Sequence, residues 1–479
     1  MADTLKIKWL YIIAGVFVLL NTLAIAFEFY WLNLLPGAAL IILLALVSMD
    51  KLIYLIVFFT PLSVILKDTD QFGVALSLPT EPLLFGVTLI FIFRYLYEGF
   101  FDPKIIRHPI TIAIIFNLVW ILITTITSEM PLVSIKYFLS RLWFVIPFFF
   151  VAALMFREKG SMEKYSMAYI ISFTLVIIYT IVVHSQGGFA QGPAHTAMTP
   201  FYNDHTSYGA MLAMFIPLFF YFLSEKNLKP SKKLGYWVLF ILFIVATLLS
   251  YTRAAWVSLG AALIVFLILR LRIKFFTLCL MGVGAVLAFF LFQDKIIMRL
   301  EKNKKASSTD FSEHVQSISN ISTDASNKER INRWMSALRM FQERPFFGWG
   351  PGTYMFQYAP FQFSYEKTSI STNAGDRGNA HSEYIGPLAE SGVLGMVSFL
   401  SILIASVYTG VRQYRMFKDP RLRGFSLAIF LGLLTYFVHG TLNNFLDTDK
   451  SSAIFWGFLA MQVVLDVFYL PGSEKTTAK

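Results

Sequence analysis

Apolar runs long enough to cross a lipid bilayer alternate with short polar segments along most of the chain. A membrane-spanning helix needs about 20 predominantly apolar residues, and one long polar interval interrupts the series. The pattern predicts an all-α polytopic integral membrane protein of about 12–14 spans with one large helical loop. Its predicted parts are an N-terminal transmembrane bundle (1–293), the large loop (294–392) and C-terminal transmembrane helices (393–479). The candidate spans are 9–27, 34–49, 52–66, 82–94, 109–127, 138–156, 165–184, 207–223, 234–250, 254–269, 275–292, 393–410, 424–440 and 452–470.

The large loop contains a predicted amphipathic helix. Ser326 and Glu329 have the spacing of a capping box, in which both side chains satisfy backbone N–H groups at a helix start. Apolar residues then recur at helical spacing over 331–341, which predicts a helix of about 15 residues ended by Arg344-Pro345. Its basic residues lie off the apolar stripe, so we expect it on the outer membrane surface or against the bundle. A second helix is expected to begin near His381.

Composition supports the membrane assignment. Of the 479 residues, 56% are hydrophobic and only 14% are charged, with a mean hydropathy of +0.63. A soluble protein carries about 25% charged residues. The net charge of +11 would suggest a nucleic-acid partner in a soluble protein, but in membrane proteins Lys and Arg collect at cytoplasmic helix ends. We therefore expect no nucleic-acid partner. The single cysteine, Cys279, excludes an intramolecular disulfide.

The distribution of Lys and Arg predicts the orientation. With a cytoplasmic N-terminus and alternating spans, the cytoplasmic segments hold 23 of these residues and the short outer segments hold 5. The large loop holds the other 12, and long loops do not count in the positive-inside rule. The sequence therefore predicts that both termini are cytoplasmic. The stretches that this orientation places on the outer face are Tyr202–His205, Arg253, the large loop and Asn443–Asp447.

Two residues on the predicted outer face have side chains suited to group transfer. His381 lies beside an arginine, a glutamate and a predicted helix start. An imidazole that titrates near pH 6.5 can accept a proton from a sugar hydroxyl, although His381 can equally be a helix-capping or surface residue. Arg253 lies between two apolar spans. There a guanidinium either binds phosphate through paired hydrogen bonds or extends to lipid headgroups.

Other outer-face features carry less specific signals. Tyr202–His205 open a span, and Asn203 or Asp204 is suited to cap its helix. The Gly-rich turn Gly348–Thr353 lacks the Gly-Lys-Ser/Thr of a nucleotide-binding loop, so its glycines are expected to permit a tight backbone turn. No motif has metal-ligand spacing, and we expect neither a metal nor another cofactor. No predicted span has an ionisable residue near its middle, which argues against ion-coupled transport.

Three motifs, in this order and spacing, resemble the O-antigen ligase and polymerase superfamily. Residues 250–256 read S-Y-T-R-A-A-W, residues 330–352 read R-x-x-R-W-x-x-A-L-x-M-F-x-E-R-P-F-F-G-W-G-P-G, and residues 380–395 read A-H-S-E-Y-I-G-P-L-A-E-S-G-V-L-G. The similar region is 200–450. Ser382 departs from the family pattern, which commonly has Asn after the histidine. The role of position 382 is therefore left open, whereas His381 keeps its place.

The resemblance implies a GT-C-like, metal-independent membrane glycosyltransferase in the bacterial inner membrane. Its donor would be a glycan on undecaprenyl diphosphate, presented at the periplasmic face, and its acceptor would be lipid A–core or another glycan. His381 would be the candidate base, and Arg253 would stabilise the diphosphate while the anomeric centre inverts. Glu383 and Glu390 would either take part or only cap and pair. The candidate substrate-binding residues are Arg330, Arg333, Arg377, Tyr202, His205 and Asn444.

The motifs leave several functions open. Ligation of the finished glycan to lipid A–core is the leading hypothesis, and a polymerase of the same superfamily is the alternative within the class. A transporter or flippase of lipid-linked glycan is the alternative from another class, against which the uncharged span centres argue. A non-catalytic sensor or scaffold predicts that alanine at His381 or Arg253 leaves activity unchanged.

Overall fold

The computed structural model describes residues 2–28, 32–33, 48–65, 77–99, 102–226, 228–273, 325–368, 371 and 378–470. The chain forms two compact units, residues 1–55 and 56–479. Helix α1 (Ala2–Ala26) belongs to the first, and α2 (Met49–Phe59) extends across the boundary. The helices that follow are α3 (Thr80–Glu98), α4 (Pro103–Ile106), α5 (Pro109–Ile126), α6 (Pro131–Val145), α7 (Ala152–Met155), α8 (Ser161–Gln186), α9 (Gln191–Ala194), α10 (His205–Ser224), α11 (Pro230–Leu249), α12 (Arg253–Arg270), α13 (Ala325–Glu343), α14 (Tyr354–Gln357), α15 (Ile385–Met416), α16 (Pro420–His439) and α17 (Asp449–Val464).

Shorter elements complete the described chain. Strands β1 (Val64–Ile65) and β2 (Ser77–Leu78) form one antiparallel pair, which the sequence did not predict. Three 3₁₀ turns cover Thr60–Leu62, Ala359–Phe361 and Ser364–Glu366. Wider π turns at Ile146–Val151 and Leu465–Tyr469 continue α6 and α17.

Within the described residues, ten helices are long and apolar enough to cross a membrane. They confirm ten of the predicted spans and the fold class of an all-helical polytopic membrane protein. A helix also covers the predicted span 9–27, whereas the predicted spans 34–49 and 275–292 lie mostly or wholly outside the described residues. The ten helical segments are Thr80–Tyr97, Pro109–Ile126, Pro131–Met155, Ser161–Gln186, His205–Ser224, Pro230–Leu249, Arg253–Arg270, Ile385–Met416, Pro420–His439 and Asp449–Tyr469.

The predicted span 52–66 is wrong. Helix α2 has only 11 residues, which at 1.5 Å per residue gives a length well below the roughly 30 Å of the hydrocarbon core. A 3₁₀ turn containing Pro61 follows, and the chain then enters β1. Proline removes a backbone donor and stops the helix. Hydropathy alone did not reveal this break, because all the residues around Pro61 except Thr60 and Ser63 are apolar.

Two helices form the centre of the second unit. α17 and α10 have 89% and 83% of their membrane-length windows buried, against 17% for α11. α16 packs against α10, α12 and α15, and α5 packs along α15. Because lipid tails are as apolar as the side chains, such helices associate through close packing and polar contacts rather than through exclusion of water.

The amphipathic helix α13 packs against α15, which confirms the prediction that it could lie against the bundle. It ends at Glu343, just before the predicted Arg344-Pro345 stop. Gly392, with φ of 69°, bends α15 at this contact, and the Val393 N–H donates to the Pro345 carbonyl at 2.9 Å. A Cβ at Gly392 would lie 2.1 Å from the Phe346 carbonyl oxygen. The close approach therefore requires glycine, and it joins the loop firmly to a membrane helix.

The contacts define two ends of the bundle. At one, called the site end, the Thr252 hydroxyl joins the starts of α10 and α12. Arg330 of α13 binds the Leu442 carbonyl just after α16 and acts electrostatically on His205 at the start of α10. At the opposite end, ion pairs such as Asp102–Arg157 (3.2 Å) and Asp466–Arg412 (3.0 Å) join neighbouring helices. Described parts of the predicted polar stretches therefore lie at one end of the bundle, and the assignment of that end to the outer face stays a prediction.

Arg141 corrects one sequence prediction. It lies near the middle of the helical segment Pro131–Met155, although no predicted span had a charged residue there. The predicted span began at 138, whereas the helix begins seven positions earlier, at Pro131. Arg141 is 7% exposed, pairs with Asp447 at 3.0 Å and donates to the Tyr137 hydroxyl at 2.6 Å. A buried arginine with these partners anchors two segments to each other.

Candidate active site

Helix α13 presents Arg330 to the end of α16. The Arg330 Nε donates to the Leu442 carbonyl at 3.2 Å, and Nη1 donates to Asn327 Oδ1 at 3.2 Å. The guanidinium is partly exposed, and its charge acts on His381, His205 and His439. Arg330 therefore lies close enough to these three histidines to act on them electrostatically.

His381 lies in a tight turn just before α15. Its φ of 48° is in the left-handed region, and its N–H donates to Asn379 Oδ1 at 3.1 Å. Burial lowers the pKa of His381 to about 4, and the positive charges of Arg330 and Arg333 act in the same direction. The imidazole is therefore uncharged at neutral pH and can accept a proton or a hydrogen bond. The predicted second helix starts at Ile385, slightly later than expected.

Arg253 and His205 begin the neighbouring helices α12 and α10. The Thr252 hydroxyl donates to the His205 carbonyl at 2.7 Å, which ties the two helix starts together. Arg253 is partly buried and close enough to act electrostatically on His205. The predicted cap is confirmed, because Asp204 Oδ1 accepts from the Thr206 and Ser207 N–H groups at 2.8 Å each.

His195 joins this group, although the sequence offered no partner for it. Its ring stacks on that of His205, with centroids 4.2 Å apart and planes 9° from parallel. The buried His205 Nδ1 has no hydrogen-bond partner within the described chain. The structure therefore brings His381, Arg330, His205 and Arg253 to one end of the bundle, close enough for the arginine charges to act on the histidines.

Arg333 has a different environment from Arg330. It is 3% exposed, binds Glu329 with 2.6 Å between Nε and Oε1, and lies 4.0 Å from the centroid of the Tyr358 ring. Glu329 also accepts hydrogen bonds from Thr368 and Ser371. Hydrogen bonds from Ser371 and Arg333 hold the pKa of Glu329 below its usual range, against the effect of burial. Glu329 thus binds Thr368 and Ser371, a role that the predicted capping box did not include.

The other candidate residues lie apart from His381 or outside the description. Tyr202 is 2% exposed, and its hydroxyl is 3.1 Å from the Tyr169 hydroxyl; burial raises its pKa. Asn444 lies two positions after Leu442, whose carbonyl accepts from Arg330. The buried Asn444 Oδ1 has no hydrogen-bond donor among the described residues. Arg377 lies outside the described residues. Substrate binding by these three residues stays a prediction.

The Gly-rich turn is a support for the site rather than a ligand loop. Gly348, Gly350 and Gly352 have φ values of 67°, 116° and 75°, which confirms the predicted tight turn. Glu390 holds it: its carbonyl accepts from the Gly350 N–H at 2.8 Å, and its Oε1 accepts from the Tyr354 N–H at 3.0 Å. Glu390 therefore acts as a pairing residue in this structure.

Replacing Gly350 with alanine is expected to destabilise the protein by about 1–3 kcal/mol, the cost typical of one strained backbone position. A Cβ there would lie 1.9 Å from Ser128 Oγ, and φ is 116°. Thermal unfolding in detergent measures the effect. Gly235→Ala is the matched control, because it lies in helix α11 with nothing within 4 Å of the new Cβ. An equal Tm for the two variants would contradict the tight packing of this turn.

The structure contains two buried polar clusters that the sequence did not predict. Asp449 is fully buried, and its Oδ2 accepts from the Ser63 and Thr80 hydroxyls at 2.5 Å each. His439 is also buried, with its Nε2 3.1 Å from Asn443 Nδ2. The detectable signal was a polar residue at one end of an apolar run. The partners of Asp449 come from distant segments, so only the folded structure reveals them.

The arrangement suits an anionic substrate. Two partly exposed arginines and an uncharged histidine can bind phosphate oxygens and accept one proton. Within the described ranges, no group of three His, Cys, Asp or Glu side chains could hold a metal ion.

Comparison with known families gives a match over part of the chain. Residues 238–400 match the family model described as O-antigen ligase. The matched segment contains Arg253, Arg330, Arg333 and His381. No curated protein matches the chain.

Proposed function

We propose that this membrane protein, whose residues 238–400 match the O-antigen ligase family model, transfers a lipid-linked glycan and ligates it to lipid A–core. The donor in this proposal is a glycan on undecaprenyl diphosphate, and the reaction takes place at the periplasmic face. The reaction uses no metal. A polymerase that extends the same glycan is the alternative within the family.

One observation carries the proposal: an uncharged histidine lies in the field of Arg330, at the same end of the bundle as Arg253. The acceptor hydroxyl would attack the anomeric carbon from the face opposite the diphosphate, so that the configuration inverts. The carbon–oxygen bond to the diphosphate would break, and undecaprenyl diphosphate would leave with the electron pair. His381 would take the hydroxyl proton, because its neutral ring is available as a base.

Arg253 and Arg330 would stabilise the charge that develops on the leaving diphosphate. In a partly dry site, preorganised cations act more strongly than they do in water. Arg330 suits this role because Leu442 and Asn327 hold its guanidinium in place. The buried His205 Nδ1 and Asn444 Oδ1 have no hydrogen-bond partner among the described residues, and we propose that they bind phosphate or sugar hydroxyl groups of the substrate. Arg333 would act through the loop, since it already binds Glu329.

The proposed location rests on the charge distribution. Lys and Arg favour the end of the bundle opposite the site, as in cytoplasmic segments of bacterial membrane proteins. We therefore assign the site end to the periplasm and both termini to the cytoplasm. In this orientation the three proposed domains, 1–293, 294–392 and 393–479, place the catalytic motifs mainly in the periplasmic loop.

The test compares a gene deletion with complemented strains. The surface glycolipid is resolved on a gel and stained for glycan, and lipid-linked chains are extracted in parallel. A ligase predicts loss of long chains from lipid A–core while long lipid-linked chains accumulate. A single repeat unit on the acceptor would indicate a polymerase instead.

Purified protein separates an enzyme from a transporter. In detergent, the protein is incubated with undecaprenyl-diphosphate-linked glycan and lipid A–core. We expect covalent transfer without added metal. A flippase would give no product here, because detergent leaves no membrane to cross, and that result would contradict the proposal.

A further inference from the structure

Glu383 is a buried carboxylate that the proposed chemistry does not use. It is 6% exposed, and its Oε1 accepts hydrogen bonds from the Tyr436 hydroxyl (2.7 Å) and from the N–H groups of Phe445 (2.8 Å) and Leu446 (3.0 Å). The three donors belong to the end of α16 and to the residues that follow it. Glu383 therefore cross-links these residues to the turn before α15. Burying a carboxylate costs free energy, because it loses its bound water, unless hydrogen bonds within the protein compensate.

The same residue is attached to the backbone of His381. Glu383 lies two positions after His381, and its own N–H donates to the Gly440 carbonyl at 2.8 Å. The Tyr384 hydroxyl adds a contact to the Phe437 carbonyl at 2.8 Å. His381 has a φ of 48°, a conformation that a residue with a side chain adopts only when its surroundings impose it. These contacts supply that constraint.

The segment bound by Glu383, residues 440–446, also holds Arg330. The Leu442 carbonyl accepts from Arg330 Nε at 3.2 Å. The segment is also bound to α17, because the Leu446 carbonyl accepts a hydrogen bond from the Ser452 hydroxyl at 2.8 Å. Glu383 therefore lies between the backbone that carries His381 and the carbonyl that orients Arg330.

We propose that Glu383 is a positioning residue: by binding residues 440–446 to the His381 turn, it sets the imidazole at the distance from Arg330 that transfer requires. The inference rests on the proposed function of His381 and Arg330. A displacement of about 1 Å between reacting groups can cost about 10²-fold in rate. Glu383 acts without touching the substrate, through the geometry of the two residues that do.

The test uses purified full-length protein with undecaprenyl-diphosphate-linked glycan and lipid A–core. Glu383→Ala removes the cross-link and is expected to lower kcat by about 10²-fold. Glu383→Gln keeps an oxygen at the same place and is expected to recover most of the rate. Burial raises the pKa of Glu383 and so favours the uncharged acid, which glutamine resembles. If glutamine is as damaging as alanine, acidity rather than position is required, and the proposal is wrong.

Asp466→Asn is the matched control. Asp466 is also a buried carboxylate, but it binds Arg412 and His108 at the opposite end of the bundle. Both substitutions are expected to lower Tm, whereas only Glu383→Ala is expected to lower kcat per folded molecule. A similar fall in kcat for the control would show a general effect of stability and would overturn the positioning role.

Non-additivity gives the sharper outcome. In a His381→Asn background, Glu383→Ala is expected to cause a smaller further loss of kcat than it causes alone, because one of the two groups whose relative position it sets is already gone. A full additional loss would overturn the proposal. Tyr436→Phe, which removes one of the three donors to Glu383, is a milder variant with the same expected pattern if the alanine variant does not fold. If His381→Asn itself retains full rate, the proposed function fails, whatever Glu383 does.

Discussion

Replacing His381 with asparagine is expected to lower the rate of glycan transfer by about 10²–10⁴-fold, the contribution typical of a general base. Asparagine tolerates a left-handed backbone better than most residues, so the turn with φ of 48° should persist. The amide cannot accept the proton of the acceptor hydroxyl. Single-turnover transfer with purified protein and lipid-linked glycan measures the loss.

The pH profile gives a second check on His381. Its pKa is lowered to about 4 by burial and by Arg330 and Arg333, so the neutral base is fully present at pH 7 and is lost only as pH falls through about 4. The acidic limb of kcat/KM, which reports the free enzyme, should therefore lie well below the 6.5 of an ordinary histidine. A limb near pH 6.5 that disappears in the asparagine variant would contradict the described environment.

His108 provides the control for the histidine substitution. It lies at the opposite end of the bundle and caps α5, with its Nδ1 accepting from the Ile110 N–H at 3.2 Å. Asparagine is itself a good helix cap, so His108→Asn should keep both fold and rate. If the His381 and His108 variants have equal rates at equal protein level, His381 is not the base.

Replacing Arg253 with alanine is expected to lower transfer by about 10²–10³-fold, as loss of one preorganised charge stabiliser does. Arg253 begins α12 at the site end, held next to His205 by the Thr252 hydroxyl. Lysine should recover only part of the rate, because it supplies the charge without the planar fork that binds two phosphate oxygens. The measurement is kcat with saturating lipid-linked donor.

Arg270 is the matched control, since it ends the same helix and is exposed. Arg270→Ala should leave kcat unchanged and, at most, alter insertion into the membrane. An interfacial role for Arg253, in which it only reaches lipid headgroups, predicts that the two alanine variants behave alike. That result would remove Arg253 from the proposed mechanism.

The buried charges near the site bear on the transporter hypothesis. Arg141 lies inside a span, contrary to the sequence prediction, but it is bound to Asp447 and Tyr137 at the site end. It therefore anchors the segment that Glu383 also binds. Among the described residues, Arg141 thus joins two segments of the protein. In an ion-coupled transporter, charged residues inside spans mark the path of the ion instead.

The sequence by itself determined the fold class, ten of the described spans and the side of the bundle on which the polar stretches meet. The physical reason is that the bilayer imposes a length and an apolar composition on each helix, both of which can be read locally. Motif spacing likewise indicated His381 and Arg253, and local capping preferences indicated Asp204, whose cap the structure confirms.

Only the tertiary structure decided what each polar side chain contacts. Glu329 and Glu383 are similar carboxylates in sequence, yet one binds Arg333 and the other binds residues 440–446. The early stop of α2 at Pro61 and the burial of Arg141 also depended on the fold. Local contacts such as His381 with Asn379 are joined at the site by contacts between distant residues, such as Arg330 with Leu442. The geometry of the distant contacts is set by how the helices pack. No local pattern in the sequence encodes that packing.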